Sequence, residues 1–276
     1  MAYIMVEGPE GAGKTEGAAG LSTILNAKGY DVHVVHEPGN GTIGTLVRST
    51  LSGIRKDHNE KLKSYFRDGS ETERMLDRFA NDAQAGIESL STIAGDYTAI
   101  KDMVRKDGTL DRLLGALTVA KEIDIESLQL LFVAVRSEDM KSLAPFLARK
   151  DMAVVSDRGY PSTITYAESN GPNAEYVEFL KLINSRFPRP DLMMVLSAPP
   201  EVLFGRVQKR GGTEERFDRL ETIRNIGESY RRNYPEAVYI DASQSREKVS
   251  AEMAEHTIGM LRKLGVKPVH GANSSG

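Results

Sequence analysis

The 276-residue chain is long enough to bury a hydrophobic core in one large or two small domains, and it carries a net charge of -3 with a pI near 6.0. This charge argues against a polybasic protein that binds nucleic acid stably, and the absence of cysteine excludes disulfides, thiolate zinc sites and cysteine nucleophiles. Because the sequence has neither a signal-peptide pattern nor an apolar run of about 18 residues, we expect a cytoplasmic protein that does not enter a membrane.

Five short apolar runs rich in β-branched residues predict the strands of a single sheet. They occupy residues 3–6, 32–35, 152–155, 192–196 and 238–240. Continuous apolar runs are typical of buried parallel strands, because helices cover both faces of such a sheet. Helical periodicity accompanies the runs, for example at residues 18–27, 177–183 and 249–261. The pattern predicts a doubly wound α/β fold whose ligand binds at the C-terminal ends of the strands.

The first connection, GPEGAGKT at residues 8–15, has the G-x-x-x-x-G-K-[ST] spacing of a phosphate-binding loop (P-loop). Its glycines let backbone N–H groups close around phosphate oxygens, Lys14 reaches the β and γ oxygens, and Thr15 offers a hydroxyl to Mg²⁺. Glu10 has two interpretations: it holds a ribose hydroxyl or a water, or it only favours the helix N-terminus. The motif predicts a nucleoside triphosphate site formed by Gly8, Pro9, Glu10, Gly11, Ala12, Gly13, Lys14, Thr15 and Glu16.

The segment from about residue 55 to residue 124 shows no strand pattern. Its apolar residues follow steps of three and four, first at Leu76, Phe79, Ala83, Ile87 and Leu90 and then from Leu110 onward. This spacing predicts helices. They form either a hairpin packed on the main body or a lid or oligomer contact near the substrate.

The third apolar run ends in the sequence SDRG at residues 156–159. Asp157, at the end of a predicted strand, is placed to orient Mg²⁺ or its waters. Arg158 beside a P-loop suits a second anionic group, although a surface arginine is the alternative interpretation.

The segment GRVQKRGGTEERFDR at residues 205–219 carries five basic residues around a Gly-Gly pair: Arg206, Lys209, Arg210, Arg216 and Arg219. A hinged segment of this kind can close over phosphates and exclude water, so that transfer outruns hydrolysis. The alternative is a solvated helix with intrahelical ion pairs. The P-loop favours the lid. The small polar residues near the C-terminus predict a flexible tail at 265–276.

Together these motifs resemble those of the thymidylate kinase family, the P-loop enzymes that phosphorylate dTMP to dTDP with ATP. EGPEGAGKT resembles the family's P-loop, and EPGNGTIGTLVRSTL at 37–51 resembles its EPGGT stretch and the arginine-bearing helix behind it. LLFVAVR at 130–136 resembles its LLFAADR helix, and SDRGYPSTITY at 156–166 its DR segment. The stretch at 189–218 resembles the following strand and the lid. A P-loop without arginine paired with an arginine-rich lid looks like the bacterial subtype.

The resemblance implies roles for particular residues. Arg48 and Arg158 would hold the acceptor phosphate, Phe132 would stack on the acceptor base, and Arg136 would reach the edge or phosphate of the acceptor. The implied substrate-binding residues are Glu37, Arg48, Phe132, Arg136, Arg158, Ser162, Thr163 and Tyr166. The implied catalytic residues are Lys14, Arg158, Arg206, Arg210 and Arg216, and the metal-binding ones are Thr15 and Asp157.

The resemblance also implies a P-loop NTPase fold, with a five-stranded parallel sheet flanked by helices and with a helical insertion. The kinase core would comprise residues 1–54 and 126–264, the insertion 55–125 and the lid 205–219. Mg²⁺ and ATP would be the cofactors, a nucleoside monophosphate the acceptor, and a homodimer the common assembly.

Departures from the family pattern fall on the acceptor side. Asn40 replaces a glycine, His36 an arginine, Val135 an acidic residue and Ala167 a frequent glutamine, and Gly159 with Tyr160 shifts an aromatic position. The sequence therefore predicts phosphoryl transfer to a deoxypyrimidine monophosphate, with dTMP as the first expectation. The alternatives are a kinase for another or a modified pyrimidine nucleotide, a nucleoside kinase, and a nucleotide-dependent regulatory or binding module.

Overall fold

A computed structural model of the chain describes residues 2–41, 43–45, 47, 125–171, 174–210 and 217–269. The predicted insertion, apart from residue 125, lies outside the described residues, as do Arg48, Arg216 and the end of the predicted tail from residue 270.

The described chain alternates strands with helices. The strands are β1 (Ala2–Glu7), β2 (Asp31–His36), β3 (Met152–Asp157), β4 (Leu192–Ser197) and β5 (Val238–Asp241). The helices are α1 (Lys14–Ala27), α2 (Ile125–Leu147), α3 (Tyr160–Ser169), α4 (Ala174–Asn184), α5 (Pro200–Arg210), α6 (Leu220–Asn233) and α7 (Arg246–Lys263). All five predicted strands are confirmed, each extended by one or two residues.

The strands form one parallel sheet in the order β2-β3-β1-β4-β5. β1 is the central strand and is buried along its whole length. The order reverses beside β1, because the chain moves from β1 outward to β2 and later crosses to β4. An α/β sheet binds ligands at such a switch point, beyond the C-terminal ends of the strands. The predicted P-loop NTPase fold is confirmed.

The two faces of the sheet have separate hydrophobic cores. Ile4 and Val6 of β1 point toward α1, α5 and α7, where they pack with Leu21 and Met253. Alternate residues of the same strand, such as Met5, point to the opposite face, where α2 packs. This alternation follows from the period of two of a β-strand. Among the described residues, no helix combines the length and the apolar character needed to cross a bilayer.

The P-loop packs closely against α5. A Cβ atom added to Gly11 would lie 2.4 Å from the carbonyl oxygen of Leu203, and Gly11 has a φ of +76°. Both constraints favour glycine at this position.

Gly11→Ala should therefore lower the free energy of unfolding by about 2 kcal/mol or more, because alanine is strained at positive φ and its methyl group collides with the backbone of α5. Gly259→Ala in α7 is the matched control, since its Cβ meets open space, and it should stabilise the protein by about 0.5–1 kcal/mol. Urea unfolding of both variants tests the prediction. Equal effects would mean that the contact between the P-loop and α5 is not tight.

Candidate active site

Lys14 is the first residue of α1, and its side chain folds back into the P-loop. Its Nζ donates hydrogen bonds to the carbonyl oxygens of Gly8 at 2.9 Å and Pro9 at 2.7 Å. Burial, together with the charge of Arg158, lowers the pKa of Lys14 to about 8, so the ammonium form still dominates at pH 7. A buried cation at a helix N-terminus is suited to the terminal oxygens of a bound polyphosphate.

Thr15 and Asp157 bring the end of β3 to the P-loop. The Thr15 hydroxyl donates to Asp157 Oδ2 at 2.6 Å, and His36 Nδ1 lies 3.2 Å from the same oxygen. Asp157 Oδ1 is buried and meets no hydrogen-bond partner within the described part of the chain. A hydroxyl and a carboxylate with one uncommitted oxygen suit Mg²⁺, which keeps water and phosphate oxygens as its other ligands. The residues thus fit the predicted metal.

Arg158, directly after β3, takes a left-handed backbone conformation with a φ of 73°, an uncommon state for any residue except glycine. Its guanidinium donates to Tyr166 Oη at 2.8 Å and to a carboxylate oxygen of Glu10. Tyr166 in turn donates to Glu10 Oε1 at 3.0 Å. Burial alone would raise the pKa of Glu10, but the charges of Arg158 and Lys14 outweigh it and lower that pKa to about 2. The ionised carboxylate of Glu10 is therefore paired with the guanidinium of Arg158, which could otherwise bind an anionic ligand.

Arg136 of α2 is committed to protein groups. It is 4% exposed, and it donates to Glu37 Oε2 at 2.6 Å, to Thr163 Oγ1 at 3.0 Å and to Asn184 Oδ1. Its guanidinium also lies over the ring of Phe187, 5.3 Å from the ring centre. In this arrangement Arg136 orients Glu37 and Thr163, and it can reach a bound molecule only by leaving them.

Ser162 belongs to a second buried cluster. Its hydroxyl donates to Glu7 Oε2 at 2.7 Å, and Tyr230 donates to the same oxygen at 2.7 Å. Glu7 Oε1 is buried without a hydrogen-bond partner among the described residues. Burial raises the pKa of Glu7 to about 7, although both hydroxyls favour the ionised form. Glu7 therefore titrates near neutral pH at the base of the P-loop.

A cavity of about 700 Å³ joins these clusters. Most predicted site residues line it: Glu10, Gly11, Ala12, Gly13, Lys14, Thr15, Glu16, Glu37, Phe132, Arg158, Ser162, Thr163, Tyr166, Arg206 and Arg210. Four others lie outside the lining but bond to residues within it, namely Gly8, Pro9, Arg136 and Asp157. Arg48 and Arg216 lie outside the described residues.

The two described ends of the predicted lid, residues 205–210 and 217–219, both contribute side chains to the lining of this cavity. Arg206 and Arg210 of α5 line the cavity, and Arg210 lies 3.5 Å from Asp218. Phe217 also lines the cavity and packs edge-on against Tyr166, with the ring centres 4.9 Å apart. Whether the segment closes over a ligand stays a prediction.

Sequence reasoning did not identify several residues of the site. Glu7 and Tyr230 are far apart in the chain and meet only in the fold, so no local motif marks the pair. Gln129 lines the cavity one helical turn before Phe132, and that spacing on α2 was the available signal. Gln244 and Arg246 line the cavity near the N-terminus of α7 without any motif.

Comparison with known proteins identifies the family. The model of the family described as "Thymidylate kinase" matches residues 6–78 and 107–253. A probable thymidylate kinase of Pyrobaculum aerophilum is 26% identical over 257 residues, which are 92% of this chain and 95% of that protein. A probable thymidylate kinase of Archaeoglobus fulgidus is 27% identical over 252 residues, 91% of each chain. A thymidylate kinase of Xanthomonas oryzae pv. oryzae is 27% identical over 227 residues, 81% of this chain and 69% of that protein.

Because the family match covers more than half of the chain, the chain belongs to the thymidylate kinase family. The two matched segments also extend into both ends of the predicted insertion, leaving only residues 79–106 between them. The insertion boundaries at 55–125 stay a prediction.

Buried Glu7 should make stability depend on pH. The folded protein keeps a proton on Glu7 up to a pKa of about 7, whereas the unfolded chain releases it near the ordinary value of 4.5. The stabilising contribution is therefore complete below about pH 4.5 and is lost as the pH rises through 7. Glu7→Gln cannot ionise, so between pH 5 and pH 8 its stability relative to the wild type should rise by about 2.5 kcal/mol.

Urea unfolding at both pH values measures this difference, with Glu255→Gln on the exposed face of α7 as the control substitution. Parallel pH profiles for the wild type and Glu7→Gln would contradict the assignment.

Proposed function

We propose that this member of the thymidylate kinase family transfers the γ-phosphoryl group of ATP to the 5′-phosphate of a deoxypyrimidine nucleoside monophosphate, with dTMP as the preferred acceptor. One observation carries the proposal: Lys14 and Thr15, whose hydroxyl donates to Asp157, line one cavity together with Arg158. A donor site for a nucleoside triphosphate and a cationic site for a second phosphate thus meet in one space.

The P-loop is the donor site. Its backbone N–H groups and the N-terminus of α1 would receive the β-phosphate, and Lys14 would exchange the carbonyl oxygens of Gly8 and Pro9 for phosphate oxygens. Thr15 and Asp157 would hold Mg²⁺, which when bound neutralises charge between the β- and γ-phosphates. These groups would supply positioning and charge stabilisation, so direct transfer needs no covalent intermediate.

Arg158 is the acceptor-phosphate residue. Its positive charge is balanced by ionised Glu10 in the structure. An acceptor phosphate, with two oxygens for a bidentate guanidinium contact, would displace Glu10 from Arg158. Glu10 would then be available to a ribose hydroxyl, the first of the two interpretations from sequence.

The acceptor base would lie between α2 and α3. Phe132 of α2 and Thr163 and Tyr166 of α3 all line the cavity, and Phe132 would offer an aromatic face to the base. Stacking on an aromatic ring stabilises any base and therefore does not choose among bases. Arg206 and Arg210 would approach the phosphates from α5 and exclude water during transfer. The homodimer and the cytoplasmic location expected from the sequence stay predictions.

Release of ADP from Mg-ATP in the presence of dTMP, dUMP, dCMP, thymidine or no acceptor tests the proposal. We expect turnover with dTMP well above the acceptor-free rate and little turnover with thymidine, because only a monophosphate offers an anion to Arg158. Lys14→Ala should lose about 10³-fold in kcat or more, since it removes the only cationic side chain of the P-loop. A nucleotide-dependent binding module would instead bind ATP and release no ADP above the control.

Arg158→Ala should raise the KM for dTMP roughly 10- to 100-fold while changing the KM for ATP by less than about 3-fold, since a lost contact to a charged group costs about 1.5–3 kcal/mol. Arg149→Ala is the control, because its ion pairs with Asp31 and Asp151 are exposed and outside the cavity. Steady-state kinetics with each substrate varied in turn separates the two constants. An equal rise in both would refute the acceptor role of Arg158.

A further inference from the structure

Gln129 is an unusual side chain in the wall of the cavity. It is 1% exposed, and neither its amide nitrogen nor its amide oxygen has a hydrogen-bond partner among the residues that the structure describes. Almost all buried side-chain amides in folded proteins are satisfied by protein or water. An amide with both ends unsatisfied at a cavity is therefore placed to bond to a molecule that enters the cavity.

The position of Gln129 defines what it can touch. It precedes Phe132 by one helical turn on α2, so both side chains lie on the same face of that helix, and both line the cavity. Thr163 lines the cavity as well. A planar ring stacked on Phe132 would thus present an edge to the Gln129 amide.

Arg136 is not available for this task in the observed arrangement. Its terminal nitrogens donate to Glu37, Thr163 and Asn184, and its side chain does not line the cavity. Releasing it would break a buried ion pair with Glu37, which is strongly unfavourable when one partner stays behind uncompensated. Gln129 needs no such release, because its amide has no partner to lose among the described residues.

We propose that Gln129 hydrogen-bonds to the base edge of the acceptor nucleotide, an inference that rests on the proposed function. The amide oxygen accepts a hydrogen bond from the base, and the amide nitrogen donates one to the adjacent atom of the same edge. In thymine and uracil these partners are the N3–H group and O4. In cytosine the donor is the N4 amino group and the acceptor is N3. The two positions are reversed relative to thymine, so the side-chain amide pairs with them after rotating by about 180°.

Gln129 therefore pairs with an edge that has one donor next to one acceptor, an arrangement that thymine, uracil and cytosine share, so it stabilises the bound base without choosing among these three. A base that lacks one of them leaves a buried polar group unpaired, which discriminates far more strongly than a small change of apolar area. Since the amide is already withdrawn from water, pairing with a base costs little further desolvation.

Gln129→Leu keeps a similar volume and removes both polar ends. Calorimetric titration should give a Kd for dTMP about 10- to 100-fold higher than that of the wild type, with the Kd for ATP changed less than about 3-fold. The melting temperature should equal or exceed that of the wild type, because two unsatisfied buried polar atoms are removed. Thr257→Val in α7 is the control for a buried polar-to-apolar change, since Thr257 is buried outside the cavity lining.

A modified nucleotide makes the test specific for direct contact. N3-methyl-dTMP lacks the N3–H donor, so it should bind the wild type about 100-fold or more weakly than dTMP, whereas Gln129→Leu should bind the two within about 3-fold. An unchanged Kd for dTMP in Gln129→Leu, or a full N3-methyl penalty in that variant, would overturn the assignment of Gln129.

Because this readout is binding, it separates the two proposals. A wild type that binds dTMP but releases no ADP overturns the proposed function alone. Normal turnover by the wild type, together with an unchanged Kd for dTMP in Gln129→Leu, overturns the role of Gln129 alone. A wild type that binds no pyrimidine monophosphate overturns both proposals.

Discussion

The register between β1, β3 and β2 is the constraint on which the site depends. Val6 pairs with Asp157 across β1 and β3, and the N–H of Arg158 donates to the carbonyl oxygen of Val6 at 2.9 Å. On the other side of β3, the N–H of Glu37 donates to the carbonyl oxygen of Asp157 at 2.9 Å. These bonds fix the ends of three adjacent strands at one level. A slip of one residue would turn Asp157 away from the P-loop and move every alternate side chain to the opposite face.

The charged side chains that this register brings together are paired with other groups of the protein. Lys14 and Arg158 lie against the loop carbonyls and Glu10, and Asp157 accepts from Thr15. Buried charges without such partners would each cost several kcal/mol. The charged side chains of the site are therefore held by protein oxygens, which the oxygens of a polyphosphate can replace. Exchange of one set of oxygens for another requires little reorganisation of the cations, which is the property that electrostatic catalysis needs.

The parts of the fold and site that sequence could predict were those encoded locally. Apolar runs predicted all five strands, and the P-loop spacing located Lys14 and Thr15, because a phosphate loop needs its glycines and its lysine at fixed distances along one segment. The state of each side chain could not be predicted in the same way. Ser162 was expected at the base pocket, yet its hydroxyl bonds to Glu7 and Tyr230, whose meeting depends on how α3 and α6 pack over β1. Contacts that join distant segments have no local signature.

The unsatisfied buried atoms of the described chain give a further reason to regard this cavity as a binding site. Glu7, Gln129, Arg136 and Asp157 each have at least one buried polar atom without a hydrogen-bond partner in the described ranges, and all four line the cavity or bond to a residue that does. Each such atom costs about 1–3 kcal/mol in the free protein. If packing alone governed these positions, apolar residues would be more stable there, as they are along the rest of β1. Gln129 lines the cavity itself, so a ligand there can remove the cost of its unsatisfied amide, which is the pattern expected when stability is given up for binding.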